Sequence, residues 1–162
     1  MAQIKRPGCR VLLGSLALAL AVPAIQLPAP ALAQHQEPTG SGVVQPTPGA
    51  RPLFINLTSD DAHRALMAIG FGENQLKAGH PLTIYLNDRG VLLVSRTRAS
   101  QFSRQQEQLQ ALHKAGAQIL VCPMCMKHFG VSSADLIGGA QMSNPRLANQ
   151  ALFRPGSVSL SW

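Results

Sequence analysis

Cys122 and Cys125, in the run Cys122-Pro123-Met124-Cys125-Met126-Lys127-His128-Phe129-Gly130, have the types and spacing to do chemistry. A thiolate is a nucleophile, a metal ligand and a partner for disulfide exchange. Two cysteines three residues apart lie on nearly one face of a helical turn, within disulfide reach. A C-x-x-C ring is tight and adds little as a structural staple, so reactive chemistry is favoured over a purely structural pair. Lys127 and His128 are expected to lower a neighbouring thiol pKa, as are backbone N–H groups if Cys122 opens a helical turn. Met124, Met126, His128 and Met142 add soft ligands. The pair with Met124, Met126 and His128 therefore forms an alternative Cu(I) site, whereas a closed zinc site needs four N/S ligands. Without copper, no cofactor is expected.

The elements that position this pair alternate along the chain. Leu53-Phe54-Ile55-Asn56-Leu57 is an apolar run of buried-strand type, and Thr58-Ser59-Asp60-Asp61 supplies helix caps after it. Ala62, Ala65, Leu66, Ile69 and Leu76 recur at helical spacing, and Gly79 stops that helix. Residues 81–86 form a second strand with Pro81 at its first position, and Asn87-Asp88-Arg89-Gly90 is a turn. Val91–Val94 is a short helix or strand. Residues 103–115 form a second helix and 117–121 a third strand. Residues 134–137 and 145–153 look helical, and 157–162 alternate as a last strand. This order predicts a single-domain α/β fold, a parallel sheet flanked by helices in the three-layer manner of flavodoxin and Rossmann folds. In such sheets ligands gather at the C-terminal strand ends, and Cys122 directly follows Val121.

These elements resemble the DsrE/DsrF-like sulfur-carrier family, which includes the TusD-type subunits of sulfur relay. The resemblance runs over about residues 52–162. It rests on Asp60-Asp61-Ala62-His63-Arg64-Ala65, Leu76-Lys77-Ala78-Gly79-His80, Asp88-Arg89-Gly90-Val91, Ala115 to Cys122 and Leu160-Ser161-Trp162, taken in order. It implies a persulfide on Cys122, sulfur donor and acceptor partners, and assembly as a trimer or hexamer. Two features go beyond the cytoplasmic relay pattern, Cys125 and the leader. A persulfide on Cys122 is open to attack by Cys125. Two functions are therefore expected as alternatives: sulfur carrying or thiol redox exchange, or a binding module for a soft metal or partner protein without turnover.

The leader reads as a signal peptide over residues 1–33. Lys5, Arg6 and Arg10 precede the apolar run Val11–Val22, and Ala31-Leu32-Ala33 offers a cleavage site before Gln34. Pro23, Pro28 and Pro30 interrupt the run early, which disfavours a membrane anchor. The expected location is the periplasm or the exterior. Cys9 leaves with the leader. Residues 34–50, rich in Pro, Gly and Gln, are expected to be a disordered linker, and 51–162 the domain. The formal charge is +7, and losing the three leader cations takes it to +4. The remaining basic residues are scattered and lack interleaved aromatics, so no nucleic-acid partner is expected.

Overall fold

The computed structural model describes residues 42–162. The expected signal peptide and the first part of the expected linker lie outside the described residues. Five strands form one sheet: β1 (Leu53–Leu57), β2 (Leu82–Leu86), β3 (Gln118–Val121), β4 (Ala140–Met142) and β5 (Val158–Ser161). Every pairing is parallel, and the spatial order is β4-β3-β2-β1-β5. Four α-helices connect them: α1 (Ala62–Lys77), α2 (Ala99–Lys114), α3 (Pro123–Phe129) and α4 (Pro145–Leu152). This is the single parallel α/β sheet with helices that the alternation of apolar runs and Gly-terminated helical patterns implied. Among the described residues, no helix is long and apolar enough to cross a membrane.

The chain winds β1 to β4 in one direction, so right-handed crossovers put α1 and α2 on the same sheet face. That face carries Ile55, Leu57, Ile84, Leu86, Ile119 and Val121, all essentially buried. Ala65, Ala68 and Ile69 of α1 and Leu109 and Leu112 of α2 close the core over it. The step from β4 to β5 reverses direction and sends α4 to the opposite face. That face carries Asn56, Thr83, Tyr85 and Gln118, all half-buried. Tyr85 and Leu120 are register partners on this second face. Cys122, two residues past Leu120, continues the same side of the strand.

Several local readings change. The cap cluster before α1 divides its labour: Asp61 accepts the Arg64 N–H at 2.8 Å, while Asp60 grips Arg89. The 87–90 segment is no simple turn, because Asn87 caps a 3-10 helix over Asp88–Val94. Residues 134–137 hold only a short 3-10 turn, Ser133–Asp135. The part of the linker from residue 44 is held rather than free. Val44 N–H donates to the Ala115 carbonyl at 2.9 Å and Thr47 N–H to Gly79 at 3.0 Å. Val44 also packs against the core, which gives this stretch an apolar anchor that its composition understates.

Candidate functional site

β3 delivers Cys122 to the end of the sheet, where its N–H donates to the Leu86 carbonyl of β2 at 2.9 Å. The chain then turns helical. Cys122 is the N-cap of α3, Pro123 takes the first helical position, and Gly130 ends the helix at φ 67. Proline suits that opening because its missing N–H needs no partner there, and glycine accepts the left-handed stop. The cysteines thus lie on a short helix start, not on a loop. The Cys122 sulfur accepts the Cys125 N–H at 3.3 Å. The two Sγ atoms are 2.7 Å apart, closer than ordinary contact, and both cysteines are free. A third residue meets them: Cys125 Sγ lies 2.9 Å from Asn87 Oδ1.

The surroundings divide the two thiols. Burial pushes the Cys122 thiol up, but donors aimed at its sulfur outweigh it and leave its pKa below the ordinary thiol value. Those donors are the Cys125 thiol, the Cys125 and Met124 N–H groups and the Tyr85 hydroxyl. Cys125 moves the other way: burial raises its pKa, and so does its neighbour Cys122. Burial, then the bond and charge of Cys122, push Tyr85 up to about 12, so it stays a donor at neutral pH. Lys127 and His128 are not among the groups lowering Cys122. Both sit in the last turn of α3, at the far end from the N-cap. Tyr85→Phe should therefore slow alkylation of Cys122 by about tenfold at about pH 6, because a hydrogen bond to a charged group contributes ~1.5–3 kcal/mol. An unchanged rate–pH profile would show that the hydroxyl does not support the thiolate.

Met126 is buried in the core, Met124 is 81% exposed, and His128 stands edge-on to Phe129 at 4.7 Å. Among the described residues, no three of His, Cys, Asp or Glu gather as a metal site. Arg89 lies over the Phe129 ring at 5.8 Å, and Asp60 holds its guanidinium through two contacts of 2.6 and 2.8 Å. That bidentate bond, with the Arg89 charge, holds the Asp60 carboxyl below its usual range despite some burial. The pair ties the start of α1 to the 3-10 helix and α3 beside the cysteines. Tyr85 and Asn87 escaped the sequence reading. The signal that could have found them is position: both lie at the C-terminal end of β2, next to the strand that carries Cys122.

The family model described as DsrE/DsrF-like family matches residues 53–152. The chain belongs to the DsrE/DsrF-like family. Membership of this family suggests a function of the sulfur-relay type in general, and DsrE-family proteins typically work with partner proteins in sulfur relay. Two solved structures share the fold. One is the MTH1491 protein of Methanobacterium thermoautotrophicum, described as of unknown function. It is 16% identical at a TM-score of 0.57, over 69% of this chain and 99% of that one. The other is the ychN protein of E. coli, 16% identical at a TM-score of 0.54, over 70% of this chain and 99% of that one. No curated protein matches the chain. In this DsrE-like chain, Cys122 stands where the parallel sheet hands over to α3, at the end of the sheet where the fold class collects its chemistry.

Proposed function

We propose that this protein is an exported sulfur carrier in which Cys122 takes up a sulfane sulfur and Cys125 discharges it. The observation that carries the reading is the Cys122 sulfur at the N-cap of α3, ringed by donors that favour its thiolate. In the first step the Cys122 thiolate attacks the outer sulfur of a donor persulfide, R–S–SH. A new S–S bond forms to Cys122, the donor's S–S bond breaks, and R–S⁻ leaves. The sulfur stays at its oxidation level and no external oxidant is needed. In the second step the Cys125 thiolate attacks the inner sulfur of the Cys122 persulfide. HS⁻ leaves, and the two cysteines are oxidised to a disulfide while the sulfane sulfur is reduced. A dithiol reductant then reopens the pair. Transfer of the outer sulfur to an acceptor thiolate is the competing exit and returns Cys122 as a thiolate.

The sulfur-to-sulfur approach of 2.7 Å also supports plain thiol–disulfide exchange without sulfur uptake. Non-reducing mass spectrometry of the protein as purified separates the readings. A gain of one sulfur atom on Cys122 supports the carrier. Loss of two hydrogens alone supports disulfide exchange, and a bound metal supports the soft-metal module. Native spectra of the same sample should show the trimer or hexamer that family resemblance implies, and a mature chain starting at Gln34. A monomer, or a secreted chain starting at Met1, would overturn those two parts.

A further inference from the structure

Asn87 Oδ1 touches two groups at once, the Asp88 N–H at 2.8 Å and the Cys125 sulfur at 2.9 Å. A backbone N–H only donates, so the atom facing it is the amide oxygen and not the amide nitrogen. The oxygen only accepts, so the Cys125 sulfur meets it through its S–H. The same thiol also faces the Cys122 sulfur at 2.7 Å, and Cys122 already accepts the Cys125 N–H. Cys125 therefore has one proton and two acceptors. We propose that Asn87 is a positioning residue that holds Cys125 as a neutral thiol while Cys122 carries sulfur, and so sets how long the persulfide survives.

The argument rests on the carrier reading above and on what loading does to Cys122. In the empty state the donors around the Cys122 sulfur favour its thiolate, and that thiolate is the better acceptor for the Cys125 proton. Once an outer sulfur is attached, the negative charge moves to that outer atom, and the inner sulfur becomes a weak acceptor. The Cys125 S–H then turns to Asn87 Oδ1. A thiol does not attack a persulfide; its thiolate does. An amide oxygen is too weak a base to take the proton, so the bond keeps Cys125 unreactive. The carried sulfur stays available to an acceptor protein instead of leaving as sulfide.

The 3-10 helix that begins after Asn87 packs against α3, so the acceptor is built into the fold. Asp88 adopts φ 45, a left-handed conformation uncommon outside glycine, at the residue that shares the Asn87 oxygen. The charged and titratable groups facing Cys125 are Cys122 on its own element, Asp88 on the 3-10 helix, whose backbone N–H acts to lower the thiol pKa while its carboxylate acts to raise it, and Tyr85 of β2. The Arg89 guanidinium is engaged by Asp60 and Phe129.

The test has two arms. In a Cys122→Ser background, the rate of Cys125 alkylation is followed against pH with Asn87, Asn87→Ala and Asn87→Asp. Asn87→Ala removes the acceptor, so labelling at neutral pH should rise about threefold or more, with the profile moved to lower pH. Asn87→Asp keeps an oxygen for both donors and adds a negative charge, so labelling should fall and the profile move up. If Asn87 only caps the 3-10 helix, Asn87→Ala lowers Tm, Asn87→Asp does not, and all three profiles coincide; that result overturns the proposal. Where Asn87→Ala does not fold, the Asn87→Asp comparison decides alone. In the second arm, protein with both cysteines is loaded with inorganic polysulfide and sulfide release is timed. Release should quicken in Asn87→Ala and slow in Asn87→Asp; rates equal to wild type overturn the proposal. If the wild-type protein takes up no sulfur, the carrier reading fails, and the first arm still decides what Asn87 does to Cys125.

Discussion

Cys122→Ser should abolish rapid labelling by a thiol reagent at about pH 6, and Cys125→Ser should leave it within a few-fold of wild type. The two thiols sit 2.7 Å apart, yet their surroundings oppose each other. Burial acts to raise both. Around Cys122 it is outweighed by the Cys125 thiol, two backbone N–H groups and the Tyr85 hydroxyl, whereas Cys125 gains a raising influence from Cys122 itself. Serine at 125 keeps the backbone donor and offers a hydroxyl in place of the thiol, so the Cys122 thiolate survives. Serine at 122 removes the neighbouring sulfur but leaves Cys125 with burial acting to raise its pKa, so that thiol is nearly all protonated at about pH 6. The sign with pH follows. Wild-type labelling persists below the ordinary thiol range and falls away only as pH drops through the lowered value of Cys122. The products should differ too. Without Cys125 nothing within the chain resolves Cys122, so persulfides or mixed disulfides accumulate on it. Accumulation on Cys125 in the Cys122→Ser protein would exchange the roles. Equal, slow labelling of both reduced cysteines at an ordinary thiol pKa would remove the catalytic assignment.

The sequence disclosed the elements that have enough residues to carry a pattern. β1, β2 and β3 are mostly apolar runs, with Asn56, Thr83 and Gln118 as their polar members, and α1 repeats small and large apolar residues at helical spacing before Gly79. β5 showed as alternation. β4 did not show, because its three residues, Ala140-Gln141-Met142, are too few for a period and two of them are exposed at the sheet edge. α3 is seven residues long, below the length at which apolar spacing signals a helix. Its signals were the caps, Pro123 at the start and Gly130 at the end. The cysteine pair was legible because it is local. Its partners were not: Tyr85 and Asn87 lie 37 and 35 positions before Cys122 in the chain, and only the β2–β3 register brings them alongside. Asn87 read as a turn residue because asparagine favours turns, which is half of its role here. The charges of Lys127 and His128 pointed to the thiol only while α3 was unrecognised; once the helix forms, its length carries them away from Cys122.

Gly90→Ala should destabilise the domain by about 1–3 kcal/mol and loosen the site with it, because inserted volume in a packed interior forces backbone shifts. Gly90 is buried in the 3-10 helix, and a Cβ there would run into the Leu57 carbonyl oxygen, a backbone atom with no rotamer to move away. Its N–H also bonds the Thr58 carbonyl at 3.0 Å and the Asn87 carbonyl at 2.9 Å. The methyl group would therefore push the 3-10 helix off the end of β1, and Asn87 opens that helix. The effect reaches function because Asn87 Oδ1 holds Cys125, which in turn faces Cys122. Thermal unfolding should show a fall in Tm of roughly 4 °C per kcal/mol for a domain of this size. Sulfide release from the loaded protein should quicken at temperatures where the domain is still folded. Gly138→Ala is the control: Gly138 is exposed, and a Cβ there meets nothing within 4 Å. Equal Tm values for the two variants would mean that the close approach of Gly90 to Leu57 does not constrain this end of the sheet. A lower Tm with unchanged sulfide release would separate the packing of the 3-10 helix from the placement of Asn87.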